Sequence, residues 1–224
     1  MSGNLEHQIP GNRHSAGRSN VRIKPNLKGQ RTTPMEQETL QELLIDCLRD
    51  IYDAEKQIVK ALPKMIKAAE NAALRDGLTN HLEETKEQVS RLEEAFQALG
   101  ENAKSKPCKG MRGLLEEGSE VLSEEEPGVM MDLSIIAAAQ KVEHYEISAY
   151  GTARTIAEKL GNQTVSKLLR KTEDEEKAAD AKLNEVAFEL YDTEEATDQE
   201  EEDEESQTVG GGARNAGGGR SSRR

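Results

Sequence analysis

The sequence predicts an all-α fold: four helices in two hairpins, joined by one long crossover. Three observations carry this. Four segments place apolar residues at spacings of three and four, the pattern of a helix with one buried face. Two of the connections are very short, whereas the third takes about 29 residues, 100–128. Only 3% of residues are aromatic, Trp is absent, and Leu, Ala, Glu, Lys, Gln and Arg dominate the middle. A β-sandwich or barrel would need many more β-branched and aromatic side chains.

Segment one runs from about Met35 to Asn71, with Leu40, Leu44, Cys47, Ile51, Ile58, Leu62 and Met65 on its stripe. Pro63 predicts a kink or a break there. Segment two runs from about Ala73 to Leu99, with Leu74, Leu78, Leu82, Val89, Leu92, Phe96 and Leu99 inward. Gly100 ends it as a C-cap signal. Segment three runs from about Val129 to Leu160, opened by Pro127-Gly128 and closed by Gly161-Asn162. Segment four runs from about Thr164 to Tyr191, with Val165, Leu169, Thr172, Ala179, Leu183, Val186 and Leu190 inward. The crossover holds an amphipathic piece around Met111 to Leu122.

Short loops join antiparallel neighbours, and a long one lets the third helix restart beside the beginning of the second. Two hairpins joined in this way make the ferritin-like topology, with helices two and three parallel.

Charge divides the chain further. Residues 1–34 carry six Lys and Arg against Glu6 alone and read as a disordered basic arm. Residues 35–192 form the bundle. Residues 193–224 read as a disordered tail, first acidic, with nine acids over 194–205, then Gly- and Arg-rich. The net charge is −13, and the arm and basic end offset the acidic run, so the bundle itself is acidic. That argues against nucleic-acid binding by the bundle and leaves at most a weak ionic contact through the basic tails. No apolar h-region opens the sequence and no run of 18 apolar residues occurs, so neither a signal peptide nor a membrane span is expected. Two cysteines make no disulfide framework, and reducing cytosol is the expected compartment. Cys47 lies on the apolar stripe and reads as a core residue. Cys108, beside Pro107 and Lys109, reads as the more exposed thiol. No phosphate-binding loop, nucleophile elbow or zinc spacing appears.

Acidic residues interrupt the apolar stripes at one level. Glu55 is the charged member of the first stripe, Glu143 of the third and Glu176 of the fourth. On segment two His81, Glu84 and Gln88 lie on the shoulder, and Glu83 and Glu87 leave open which acid turns inward. At ~1.5 Å per residue, Glu55 and Glu84 stand roughly 24 and 20 Å from the first short loop. Glu143 and Glu176 stand roughly 27 and 22 Å from the second. Each pair meets at nearly one height. Such buried acids cannot all stay ionised alone; they take up protons or hold cations. Two divalent ions would balance four carboxylates.

These residues also carry a resemblance. Ile51-Tyr-Asp-Ala-Glu-Lys-Gln57, His81-Leu-Glu-Glu-Thr85, Ala137-Ala-Ala-Gln-Lys-Val-Glu-His-Tyr-Glu146 with Ala149-Tyr-Gly151, and Glu175-Glu-Lys-Ala-Ala-Asp180 are similar to segments of the YciE/YciF family of ferritin-like proteins. The weaker stretch from Cys108 to Gly118 also matches, and the likeness covers residues 37–190. It implies a ferritin-like domain with a carboxylate-rich metal site, commonly dimeric, and a link to bacterial stress responses, without a defined substrate.

The chain departs from the general di-iron pattern, which places Glu-x-x-His on helices two and four. Here Glu84 is followed by Glu87 and Glu176 by Ala179. Helix two offers His81 three before Glu84, helix three adds Glu146 three after Glu143, and helix four adds Asp180 four after Glu176. Glu55, Glu84, Glu143, Glu146, Glu176, Asp180 and His81 are thus the candidate metal ligands. His144 is expected to face outward, and Gln88 and Gln140 to support ligands. Oxygen ligands suit Fe or Mn. The expected functions are a di-metal oxidoreductase on peroxide, oxygen or Fe(II), a non-catalytic metal-stabilised stress protein, or an interaction protein whose tails recruit partners.

Overall fold

The computed structural model describes the backbone of residues 33–124 and 126–210, with side chains at 33–123 and 126–192. The expected basic arm up to residue 32 and the Gly/Arg-rich end from 211 lie outside the described residues. Five helices follow one another: α1 (Pro34–Ala68), α2 (Ala72–Ala98), α3 (Lys109–Glu124), α4 (Val129–Lys159) and α5 (Gln163–Gly210).

The helix ends obey local chemistry. Asn71 Oδ1 accepts from Leu74 N at 3.0 Å and caps α2, and Asn162 Oδ1 accepts from Val165 N at 3.1 Å and caps α5. Gly100 and Gly161 adopt φ of 74° and 76°, a left-handed conformation that costs a glycine little. The pattern after each is the same: Glu101 N donates to Phe96 O and Asn162 N to Ala157 O, both at 2.9 Å. The first hairpin turn is tied to the second hairpin by Asp132, whose carboxylate accepts from Glu70 N at 2.9 Å and Asn71 N at 2.7 Å.

Around the bundle, α1 packs on α2 and α4, and α5 packs on the other side of both. Two apolar clusters stack along its length. One joins Leu44, Leu48 and Ile51 of α1 to Leu92 and Phe96 of α2, Tyr150 and Ala153 of α4, and Val165 and Leu169 of α5. The other joins Ile58, Leu62 and Met65 to Leu74 and Leu78, Ile135, Ile136 and Val142, and Leu183, Val186 and Leu190. The start of α1 therefore lies level with the ends of α2 and α4 and the start of α5. Helices α2 and α4 are parallel, as the long crossover predicts. Each fully buried Leu or Ile contributes roughly 1.5–3 kcal/mol.

The amphipathic piece of the crossover is α3, which lies over α1 and α4. Contact there is close: a Cβ added at Gly118 would stand 2.9 Å from Met65 Cε and 3.6 Å from Ala138 Cβ.

Of the two courses expected at Pro63 the break does not occur, and the end of α5 differs from expectation. Helix α1 continues through Pro63. The proline ring lies on the exposed face while Leu62 and Met65 stay buried, so packing on either side holds the helix across the missing N–H. Helix α5 continues past Tyr191 to Gly210, through the acidic run expected to be disordered. Between Gly161 and Gly210 there is neither Gly nor Pro, and Glu, Ala and Gln favour helix without an apolar face.

Candidate metal centre

Between the two apolar clusters each helix of the bundle turns polar side chains inward. Glu55 comes from α1, His81 from α2, Glu143 and Glu146 from α4, and Glu176 from α5. Glu55 and Glu176 are 0% exposed, Glu146 1%, Glu143 2% and His81 6%. Each occupies a helix face that is apolar above and below, so the packing that buries Leu and Ile buries these residues too. One donor atom from each of His81, Glu143, Glu146 and Glu176 lies within 4.8 Å of the others. The carboxyl of Glu55 meets that of Glu146, and the carboxyl of Glu143 meets that of Glu176.

Few donors reach this cluster. Tyr150, fully buried on α4, donates its hydroxyl hydrogen to Glu55 Oε1. Gln88 Nε2 on α2 donates to Glu176 Oε1. Glu55 Oε2, Glu143 Oε2, both oxygens of Glu146, Glu176 Oε2 and both ring nitrogens of His81 are buried without a hydrogen-bond partner. His81 Nε2 stands 3.3 Å from Glu143 Oε1. Buried polar atoms are normally satisfied, so so many converging orphans mark a place built for something further.

The electrostatics agree. Burial, and then the charge of Glu176, pushes Glu55 and Glu143 well above the usual carboxylate range. Burial and the charge of Glu55 do the same to Glu146. Burial raises Glu176 to about 7, against the contacts with Glu143 and Gln88 that lower it. Burial lowers His81 to about 4, leaving a neutral imidazole with free lone-pair capacity. Four acids and a neutral imidazole in a buried site are short of positive charge. The donor set has the make-up to hold a metal ion.

Not every predicted ligand joins the cluster. Glu84 is exposed, because the inward positions of α2 are His81, Thr85 and Gln88, and residue 84 falls on the shoulder. Asp180 is half-buried at the edge, where it accepts from Gln140 Nε2 at 3.1 Å and lies 3.5 Å from the outward-facing His144. The cysteines are reversed from expectation. Cys108 is buried, its Sγ 2.9 Å from Tyr145 Oη, and Cys47 is the half-exposed one. Tyr145 in turn donates to Asp50 Oδ2 at 2.6 Å.

One supporting pair has no sequence signal. Arg91 of α2 reaches Glu175 of α5, donating from Nη1 to Oε2 at 2.6 Å and from Nη2 to Oε1 at 3.1 Å, and Nη1 also donates to Thr172 Oγ1 at 2.6 Å. Burial alone would raise Glu175, yet Arg91 holds it below the usual range. The partners are 84 residues apart, beyond any local spacing rule.

Fold and site together define a ferritin-like helical bundle with a buried carboxylate and histidine cluster at its centre. Residues 39–196 match the family described as a domain of unknown function, DUF892, and the chain belongs to that family. It is 43% identical to protein YciF of Escherichia coli (strain K12) over 154 residues, covering 68% of this chain and 93% of YciF. Among solved structures, the E. coli stress protein YciF aligns with a TM-score of 0.67 at 42% identity, over 69% of this chain and 98% of that one. The Rhodopseudomonas palustris protein YcfI aligns with a TM-score of 0.64 at 45% identity, over 68% of this chain and 98% of that one. The likeness to the YciE/YciF family is thus established. Among the described residues no helix is long and apolar enough to cross a membrane.

Proposed function

We propose that this chain is a metal-binding protein of the bacterial stress response, holding two divalent ions, Fe or Mn, at the centre of the bundle. The observation that carries this reading is the set of buried, unpartnered donor atoms on Glu55, His81, Glu143, Glu146 and Glu176. Four carboxylates balance two divalent cations, and Glu146 takes the place expected of Glu84. Glu143 and Glu146, three apart on α4, are spaced to face the cluster together. Tyr150 and Gln88 each occupy one oxygen of a carboxylate and aim the other inward. A bound Fe or Mn pair supplies redox chemistry toward peroxide, oxygen or Fe(II).

The stress link is supported by the likeness to the E. coli stress protein YciF. The homodimer that the family likeness implies belongs to the same proposal; Phe188 and Tyr191, 68% and 54% exposed and three apart on α5, offer it an apolar contact. Near-complete burial of the acids favours a second reading, in which the ions pin the four helices without turnover.

Reconstitution of the full chain with Fe(II) or Mn(II), followed by elemental analysis and ultraviolet–visible spectroscopy, tests both. About two ions per chain support the site. Consumption of peroxide by the loaded protein supports the redox reading, and a rise in thermal stability without consumption supports the structural one. A folded chain that retains no ion overturns both.

A further inference from the structure

A cavity of about 460 Å3 opens between α2 and α5. Its floor is His81 and Glu143, its wall includes Gly77 and Ala178, and its rim carries Asp76, Glu84 and Glu175. The floor residues are those whose polar atoms lack partners: His81 is 6% exposed with neither nitrogen bonded, and Glu143 Oε2 is equally free. On the α3 side the same two residues border only a void of about 20 Å3 walled by Ile58, Leu62, Leu78, Leu115 and Val142. A space of that size and polarity does not pass a hydrated ion. Of these two spaces, the opening between α2 and α5 is the one roomy and polar enough to bring an ion to His81 and Glu143.

The rim is acidic, and its three acids, Asp76, Glu84 and Glu175, differ. Glu175 is neutralised by Arg91. Asp76 and Glu84 make no hydrogen bond or ion pair among the described residues, and Lys182 on the same rim is turned to Glu185 at 3.0 Å. Asp76 and Glu84 are thus the uncompensated charges at the mouth, and Glu84 is the one a single turn along α2 from His81. Gly77 lies where a Cβ would meet nothing within 4 Å, so no packing requires glycine there and a larger side chain would project into open space.

We propose that the opening between α2 and α5 is the route by which a divalent cation enters the cluster, with Glu84 drawing it to the rim and Gly77 keeping the mouth wide. This rests on the metal-binding reading above. A negatively charged rim over low-dielectric walls concentrates cations and disfavours anions, so the charge acts on the rate of entry. Glu84 is then an entry residue and not a ligand.

The test is stopped-flow loading of the full-length apo chain with Co(II), followed by visible absorption. Glu84→Gln should slow loading roughly 3- to 10-fold and flatten its salt dependence, while the final ion count stays that of the unaltered chain. Glu84→Lys should slow it further and be partly rescued by salt. Gly77→Phe should also slow loading. Gly113→Phe, at another helical glycine with open space around its Cβ position, should not. Unchanged loading in Glu84→Gln and Gly77→Phe, with normal binding by the unaltered chain, overturns the route alone. Loss of one bound ion in Glu84→Gln makes Glu84 a ligand and also overturns it. Failure of the unaltered chain to take up Co(II) at all overturns the metal-binding reading and the route with it.

Discussion

Tyr150 of α4 donates its hydroxyl hydrogen to Glu55 of α1, across the bundle and 95 residues away in sequence. Burial and the charges of Glu55 and Glu146 push the phenol well above its usual range, so it remains a donor. The bond fixes one oxygen of Glu55 and leaves Oε2 unpartnered within the cluster. Replacing Tyr150 with Phe keeps the ring in place and removes this donor. The apo chain should lose about 1–3 kcal/mol, the cost of leaving a buried acceptor unsatisfied. Urea unfolding of both proteins measures it; equal midpoints would mean that Glu55 finds another donor.

How much of this was legible beforehand depends on how local the cause is. The hairpins were readable because Asn71, Gly100, Gly161 and Asn162 act within a few residues of themselves. The parallel placement of α2 and α4 followed from the length of the crossover. Glu55, Glu143 and Glu176 were readable because each breaks an apolar stripe, and no tertiary knowledge is needed to see that. Glu84 was misplaced because Glu83, Glu84 and Glu87 stand side by side on α2, and the residue that turns inward there is His81. Its phase is set by the packing of α2 on α1 and α5, which periodicity on one helix does not report. The Arg91–Glu175 and Tyr150–Glu55 bonds lie wholly between helices and left no mark on spacing. The helical course of 193–210 was missed because apolar periodicity was the criterion, and helix propensity alone carries that stretch.

Apo stability should depend on pH with two opposing signs. Glu176 is raised to about 7, so its contribution is present below its unfolded value near 4.5 and is lost as pH rises through 7. Glu55, Glu143 and Glu146 are raised further and act in the same direction. His81 is lowered to about 4, so its contribution is present above 6.5 and is lost as pH falls through 4. Above pH 6.5 only the acids act, and stability should fall with a slope of about 1.4 kcal/mol per pH unit for each proton released. Chemical unfolding between pH 6.5 and 8.5 in a chelator measures the slope. Added Fe(II) or Mn(II) should abolish or reverse it, because the ion needs the deprotonated acids. A flat profile without metal would mean that the acids are already ionised and compensated.

Arg91 and Glu175 should behave as one unit. Arg91→Met keeps the length of the side chain but leaves Glu175 charged beside Glu84 and Glu176. The expected loss is about 2–3 kcal/mol, less than for a fully buried pair because the Glu175 side chain retains 22% exposure. Glu175→Gln in the Arg91→Met background should recover much of it, since no unpaired carboxylate remains. A double-mutant cycle by thermal unfolding measures the coupling; additive losses would show that Arg91 acts through packing alone.

The strongest test of the centre separates apo from loaded protein with Glu143→Gln and Glu176→Gln. Each change keeps the shape and removes one negative charge, and Gln at 176 can still accept from Gln88 through its amide oxygen. In the apo chain, Glu143 and Glu176 meet carboxyl to carboxyl in a buried place where neither is readily ionised. A neutral amide relieves that conflict, so apo stability above pH 7 should be unchanged or higher. In the loaded chain the same amide is a poorer ligand, and affinity should fall at least roughly 10- to 100-fold, the loss typical even for outer partners of a metal. The double replacement should prevent two-ion occupancy. Glu120→Gln, at an exposed position on α3, should alter neither property, because an exposed charge contributes only about 0–1 kcal/mol. Thermal unfolding with and without Mn(II), beside elemental analysis, reads both arms. Opposite signs in the two forms identify Glu143 and Glu176 as ligands. Equal destabilisation of both forms would make them structural acids, each sharing a proton with its neighbour, and the bundle would then owe its polar centre to hydrogen bonding and not to metal.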